Sequence, residues 1–147
     1  SILDVACTEA EAAGLEAAWE KHLRRMLEAI GWRDCELSSI RLTGGVSLGF
    51  TAPVDALYAA SEINEWAWAA CDAELNGAPE PDFDEAVAGL QAAIAEEANP
   101  ELMRLMAAAA ERGVTTFRRV LSRAPTAKRR AYVLLLTSRA RPATAWA

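Results

Sequence analysis

Leu15, Trp19, Leu23, Met26 and Ile30 recur at steps of three and four. That spacing places side chains on one face of an α-helix. Thr8 followed by Glu11 is a capping-box pattern, in which the glutamate reaches back to the start of the helix. The helix is therefore expected from about Thr8 to Ile30, with Gly31 as its stop because glycine enters the left-handed region at little cost. Before it, Ile2 to Cys7 reads as a short strand.

The pattern then changes period. Ile40, Leu42, Val46, Leu48 and Phe50 alternate with Arg41, Ser47 and Thr51 around Gly44-Gly45, which predicts a β-hairpin. A three-residue loop over 43–45 pairs Leu42 with Val46 and Ile40 with Leu48, giving one continuous apolar face. This register is expected, with Gly45 left-handed. After Pro53 and Asp55 a long helix is expected from about Asp55 to Leu75. Ala59, Ala60, Ile63, Trp66, Ala67 and Ala70 form its inner stripe, small enough for close approach to a sheet or helix. Asn76-Gly77 ends it. Asp82 or Asp84 can cap a third helix with Val87, Leu90 and Ile94 inside. Asn99-Pro100 starts a fourth, which runs to Gly113. Val114 to Val120 and Tyr132 to Thr137 read as strands, joined by a polar basic loop over 122–130.

These elements sum to an α+β fold: a small, largely antiparallel sheet with about four helices packed on one face. At 147 residues the chain is expected to be a single domain. Its hydrophobic fraction of 52% is supplied largely by alanine, and no apolar run approaches the ~20 residues of a spanning helix. No membrane association is expected. The opening residues carry Asp4 and no basic n-region, so no secretory signal is read there. Cys7, Cys35 and Cys71 are odd in number and widely spaced, which speaks against a disulfide framework or zinc site. They are expected as small buried apolar residues in a reducing cytoplasm.

Charge changes the picture more. All 21 acidic residues lie between Asp4 and Glu111, where six basic residues leave a balance of −15; from Arg112 onward there are nine basic residues and no acid. The chain thus reads as an acidic body over 1–117 and a basic segment over 118–147. Such asymmetry points to an interaction tail or to docking of the segment on its own body. A GC-rich coding region read in a shifted frame gives the same composition, so both origins of the segment stay open.

The run from Ser47 to Ala60, continuing through Glu62-Ile63-Asn64-Glu65-Trp66-Ala67-Trp68, resembles the N-terminal region of cyanophycin synthetase-like Mur ligase family proteins. Asn99-Pro100-Glu101-Leu102 and Ala109 to Val114 are similar to the helix and turn leading out of that region. The resemblance spans about residues 45–117. It implies an accessory part of an ATP-dependent amide ligase acting on a peptide-like or amino-acid substrate. The family's phosphate loop has no counterpart here, since no G-x-x-x-x-G-K-[ST] pattern occurs.

Candidate sites are therefore few. His22 stands alone, without a second histidine or a nucleophile motif, and is expected at the boundary of the first helix stripe. Glu62 and Glu65 lie one turn apart, with Asp55 and Asp72 extending their column. Such carboxylates can hold a cation or amine, although a solvated helix face is the commoner meaning. Asn64 and Trp68, at i and i+4, offer an amide and an indole to a ligand. In the tail, Arg118, Arg119, Lys128, Arg129 and Arg130 can contact a phosphate backbone or an acidic partner, but the acidic body opposes nucleic acid. The expected function is a non-catalytic recognition or assembly domain, with no catalytic residue, metal or cofactor of its own. Its partners would be a peptide-like substrate or downstream ligase domains, and a homo-oligomer stays open. The alternative is a basic-tailed module for nucleic acid or an acidic protein.

Overall fold

The computed structural model describes residues 1–113, 116–119 and 132–135. The element order is β1 (Ile2–Ala6), α1 (Glu9–Ala29), β2 (Leu37–Leu42), β3 (Gly45–Phe50), α2 (Leu57–Asn76), α3 (Phe83–Glu97), α4 (Pro100–Glu111), β4 (Thr116–Arg119) and β5 (Tyr132–Leu135). This is the α+β arrangement the periodicities predict: four helices and a small antiparallel sheet among the described residues. Contacts divide the chain into two compact units, Ser1–Ala98 and Asn99–Ala147. The break falls where α3 ends and Asn99 begins α4, whereas the compositional change in the sequence comes after Phe117.

In the first unit the strand order is β1-β3-β2, with β3 antiparallel to both neighbours. β1 and β2 are thus parallel to each other and separated by the strand that follows them in sequence. α1 lies against β3 and β2, while α2 lies against β1 and α1. Leu15, Trp19, Leu23 and Met26 of α1 meet Val46, Leu48 and Phe50 of β3 and Ala60, Ile63 and Ala67 of α2 in one buried cluster. The alanines of α2 are what let the helix axes approach closely.

The caps follow local chemistry. Glu11 accepts from the Thr8 N–H at 2.8 Å and from the Thr8 hydroxyl at 2.7 Å. At the other end of α1, Gly31 has φ 84°, and Trp32 donates to the Leu27 carbonyl at 2.8 Å. That backbone bond closes a Schellman turn. Asp82 accepts from Glu85 N–H and Asn99 from Leu102 N–H, each at 2.9 Å. α2 is the exception. Its N-cap Ala56 offers no side-chain acceptor, and the α3 residue Glu97 takes that role, accepting from the N–H groups of Tyr58 and Ala59 at 2.9–3.0 Å.

The hairpin departs from the expected register. Leu42 pairs with Gly45 and Ile40 with Ser47, so the turn is Thr43-Gly44, with Gly44 at φ 81°. Gly45 is required for a different reason: a Cβ there would collide with the Val5 carbonyl. With this register Ser39 and Arg41 join Val46 and Leu48 on the inner face, while Ile40 and Leu42 stay 60% and 52% exposed on the outer one.

In the second unit α4 precedes a two-stranded antiparallel ribbon, in which Thr116 pairs with Leu135 and Arg119 with Tyr132. β4 and β5 thus form their own sheet instead of extending the first. The basic loop expected over 122–130 lies outside the described residues.

Candidate functional site

Two polar constellations in the first unit join elements distant in sequence. The first surrounds His22. Its ring is buried, with its side chain 6% exposed. The helix pattern led us to expect a boundary position, but α2 and the segment after it close over the residue. Nε2 lies 2.6 Å from Glu74 Oε2, which also accepts from Lys21 Nζ at 2.8 Å. Nδ1 lies 3.5 Å from Glu80 Oε1 without forming a hydrogen bond, and that oxygen accepts from Arg25 at 2.6 Å. Arg25 stacks on Phe83 at 3.8 Å, and Trp66 sits edge-on to His22 and tilted against Phe83. The hydrogen bonds from Lys21 and then His22 hold the Glu74 carboxyl below the usual glutamate value of 4.5. A histidine–carboxylate pair is the raw material of general base chemistry. Here both glutamates also carry exposed cationic partners, and the cluster joins α1 to the C-terminal end of α2 and the α2–α3 connection.

The second constellation lies between α1 and β2. Glu16 accepts from Arg41 Nη2 at 3.0 Å and from the Ser39 hydroxyl at 3.1 Å. Arg41, more than Ser39, holds the Glu16 carboxyl below its usual value. Beside this bridge is a cleft of about 360 Å³, lined on α1 by Ala13, Ala17, Glu20 and Arg24 and on β2 by Leu37 to Ser39, with the buried Trp19 contributing. Glu20 and Arg24 form an ion pair at 2.7 Å.

The cleft runs along a sheet edge whose backbone groups are arranged for pairing. Thr51 N–H donates to the Glu36 carbonyl at 2.9 Å, which marks a bonded pair. Alternation along an antiparallel ladder then turns Ser38, Ile40 and Leu42 toward β3 and leaves the N–H and C=O groups of Leu37, Ser39 and Arg41 directed outward. β2 is terminal in its sheet, and every residue from Ser38 to Leu42 is exposed. The sequence pattern marked β2 as half of a hairpin; its place at the edge follows only once β1 takes the other side of β3.

The residues expected on α2 do not converge. Asn64 is 2% exposed; its Oδ1 accepts from Trp19 Nε1 at 2.9 Å and its Nδ2 donates to Ser1 Oγ at 3.4 Å. The amide is occupied inside the protein and is not presented to a ligand. Trp68 is partly buried against the core. Glu65 is exposed and Glu62 half-buried, and no group of three or more metal-ligating side chains occurs among the described residues. Arg118 and Arg119 lie on β4; Lys128, Arg129 and Arg130 are outside the described residues. Cys71 is buried, as expected of a small apolar residue, and burial pushes its thiol up to about 11. Cys7 and Cys35 are half-buried. Among the described residues no helix is long and apolar enough to cross a membrane.

No family model, curated protein or solved structure matches this chain.

Proposed function

We propose that this chain is a non-catalytic recognition and assembly domain that engages extended polypeptide along the β2 edge. The observation that carries this reading is the outward row of backbone donors and acceptors at Leu37, Ser39 and Arg41 beside a cleft walled by α1. An edge strand flanked by a helix suits strand addition: main-chain bonds supply affinity, and the pockets between strand and helix supply selectivity. The resemblance over residues 45–117 gives this reading a context, an accessory domain of an amide ligase whose substrate or neighbouring domains are peptide-like.

The test is a displayed library of random extended peptides panned against the chain immobilised at low density. Enriched peptides should lose binding to Ser39→Pro, which removes an outward N–H without breaking a β3 bond. No enrichment, or enrichment indifferent to that substitution, would remove the reading.

The nine basic residues after Glu111 favour a second reading, a module for nucleic acid or an acidic protein. It requires polyanion affinity that falls steeply with salt and disappears when residues 118–147 are deleted.

A further inference from the structure

We propose that the β2 edge is filled by the same edge of a second copy of this chain, making a closed two-fold dimer with one continuous six-stranded sheet. The inference rests on the strand-addition reading and names its partner. Three features of this surface make it complementary to itself.

The first is the backbone. Antiparallel pairing centred on Ser39 sets Ser39 against its symmetry mate and Leu37 against Arg41 of the other copy. All three outward residues then donate and accept, and none is left over.

The second is the helix layer. α1 lies over both β2 and β3. Strands about 4.8 Å apart across the dyad bring the two α1 axes to roughly 10 Å, the ordinary spacing of packed helices. The surface that meets there carries Ala13 and Ala17, small enough for contact, and the cleft beside β2 is the space the second helix enters.

The third is charge. On the stripe of α1 that borders the cleft, Glu9 stands one turn before Ala13 and Arg24 lies at the far end, whereas Lys21 and Arg25 turn away to Glu74 and Glu80. Two antiparallel copies place these unlike ends of the stripe together. Closing the cleft also strands no lone charge from its rim, since Glu16 is bonded to Arg41 and Glu20 to Arg24. On the outer face the exposed Ile40 of each copy becomes a diagonal neighbour of the other across the dyad.

Sedimentation equilibrium of the full chain over a concentration series tests this. The mass should rise from one chain to two and stop. Ser39→Pro should remain a monomer with the parent's circular dichroism. Ile40→Lys places two ammonium groups near the dyad while altering only an exposed side chain. It should weaken dimerisation by at least about tenfold, and it decides the matter if the proline variant misfolds. A monomer at every concentration, or a dimer that Ile40→Lys leaves intact, overturns the proposal. A mass that grows past two chains overturns it as well and indicates open-ended pairing of β1 with β2. If the chain stays monomeric yet still selects peptides in the Ser39-dependent manner above, the dimer falls and the recognition reading stands.

Discussion

Trp19 on α1 and Asn64 on α2 are joined by a hydrogen bond of 2.9 Å between indole Nε1 and amide Oδ1, deep in the core. The two side chains are 2% exposed, so neither polar atom has water to fall back on. The bond fixes the rotation of one helix against the other, which packing between alanine-rich faces would specify less sharply.

Removing the indole N–H while keeping a ring isolates this bond. Trp19→Phe should cost about 1–3 kcal/mol, largely the penalty of leaving the Asn64 oxygen buried without a donor. Trp19→Ala and Ile63→Ala should each cost about 2–5 kcal/mol, as truncations that leave cavities do. Urea midpoints with an unchanged m-value measure all three. A Trp19→Phe midpoint equal to the parent's would show that the bond adds nothing net.

The trans-cap from Glu97 makes a second prediction. Glu97→Ala leaves the Tyr58 and Ala59 N–H groups without their carboxylate and should destabilise the protein by about 0.5–2 kcal/mol, the range of ordinary cap deletions. Substituting the neighbouring exposed Glu96 should do almost nothing. Equal effects at the two positions would remove the specific role.

Acid should unfold the chain through identifiable carboxylates. Glu11, Glu16 and Glu74 all sit below the usual 4.5, held by Thr8, Arg41 and Lys21 respectively as leading partners. A depressed carboxyl binds more protons in the unfolded state. Its stabilisation is therefore present above 4.5 and is lost as pH falls through the lower folded value. Glu74→Gln should flatten this acid limb of stability against pH, which urea titrations across the acid range will measure. A limb of unchanged slope would argue against the Glu74 contribution.

Thiol chemistry should separate the cysteines. Cys71 is fully buried and its thiol is pushed up to about 11 by burial, so it should resist alkylation until the protein unfolds. Cys7 and Cys35 should be modified first in the native state. Peptide mapping after a short iodoacetamide pulse gives the order, and early labelling of Cys71 would contradict its placement.

Much of this fold is legible in the sequence because local chemistry and period agree there. The Thr8–Glu11 box, Gly31, Gly77 and Asn99-Pro100 all act where their residue types direct. The hairpin register was not legible. Joining Ile40 and Leu42 to Val46 and Leu48 on one face looks better on apolar pattern alone. What overrides it is tertiary: Ser39 and Arg41 reach Glu16 on α1, and β3 must pass so close to Val5 that only glycine serves at position 45. The cap from Glu97 was equally hidden, since nothing local ties it to α2. His22 shows the same limit: the stripe placed it beside the core, but its glutamate partners come from residues 74 and 80. Asn64 shows how a polar residue on a helix face can be mistaken for a ligand contact when its partner, Trp19, lies 45 positions away.

The strand order β1-β3-β2 also sets an itinerary for the folding chain. β2 and β3 are neighbours in sequence and meet across a two-residue turn, so they can form early at little entropic expense. β1 must wait, because β3, its strand partner among the described residues, lies beyond α1 and β2. Lesions in the Thr43-Gly44 turn should therefore slow refolding, whereas weakening Leu3 or Val5 should chiefly hasten unfolding. A nascent chain leaving the ribosome would present β1 well before β3 and have nowhere to put it until Phe50 emerged.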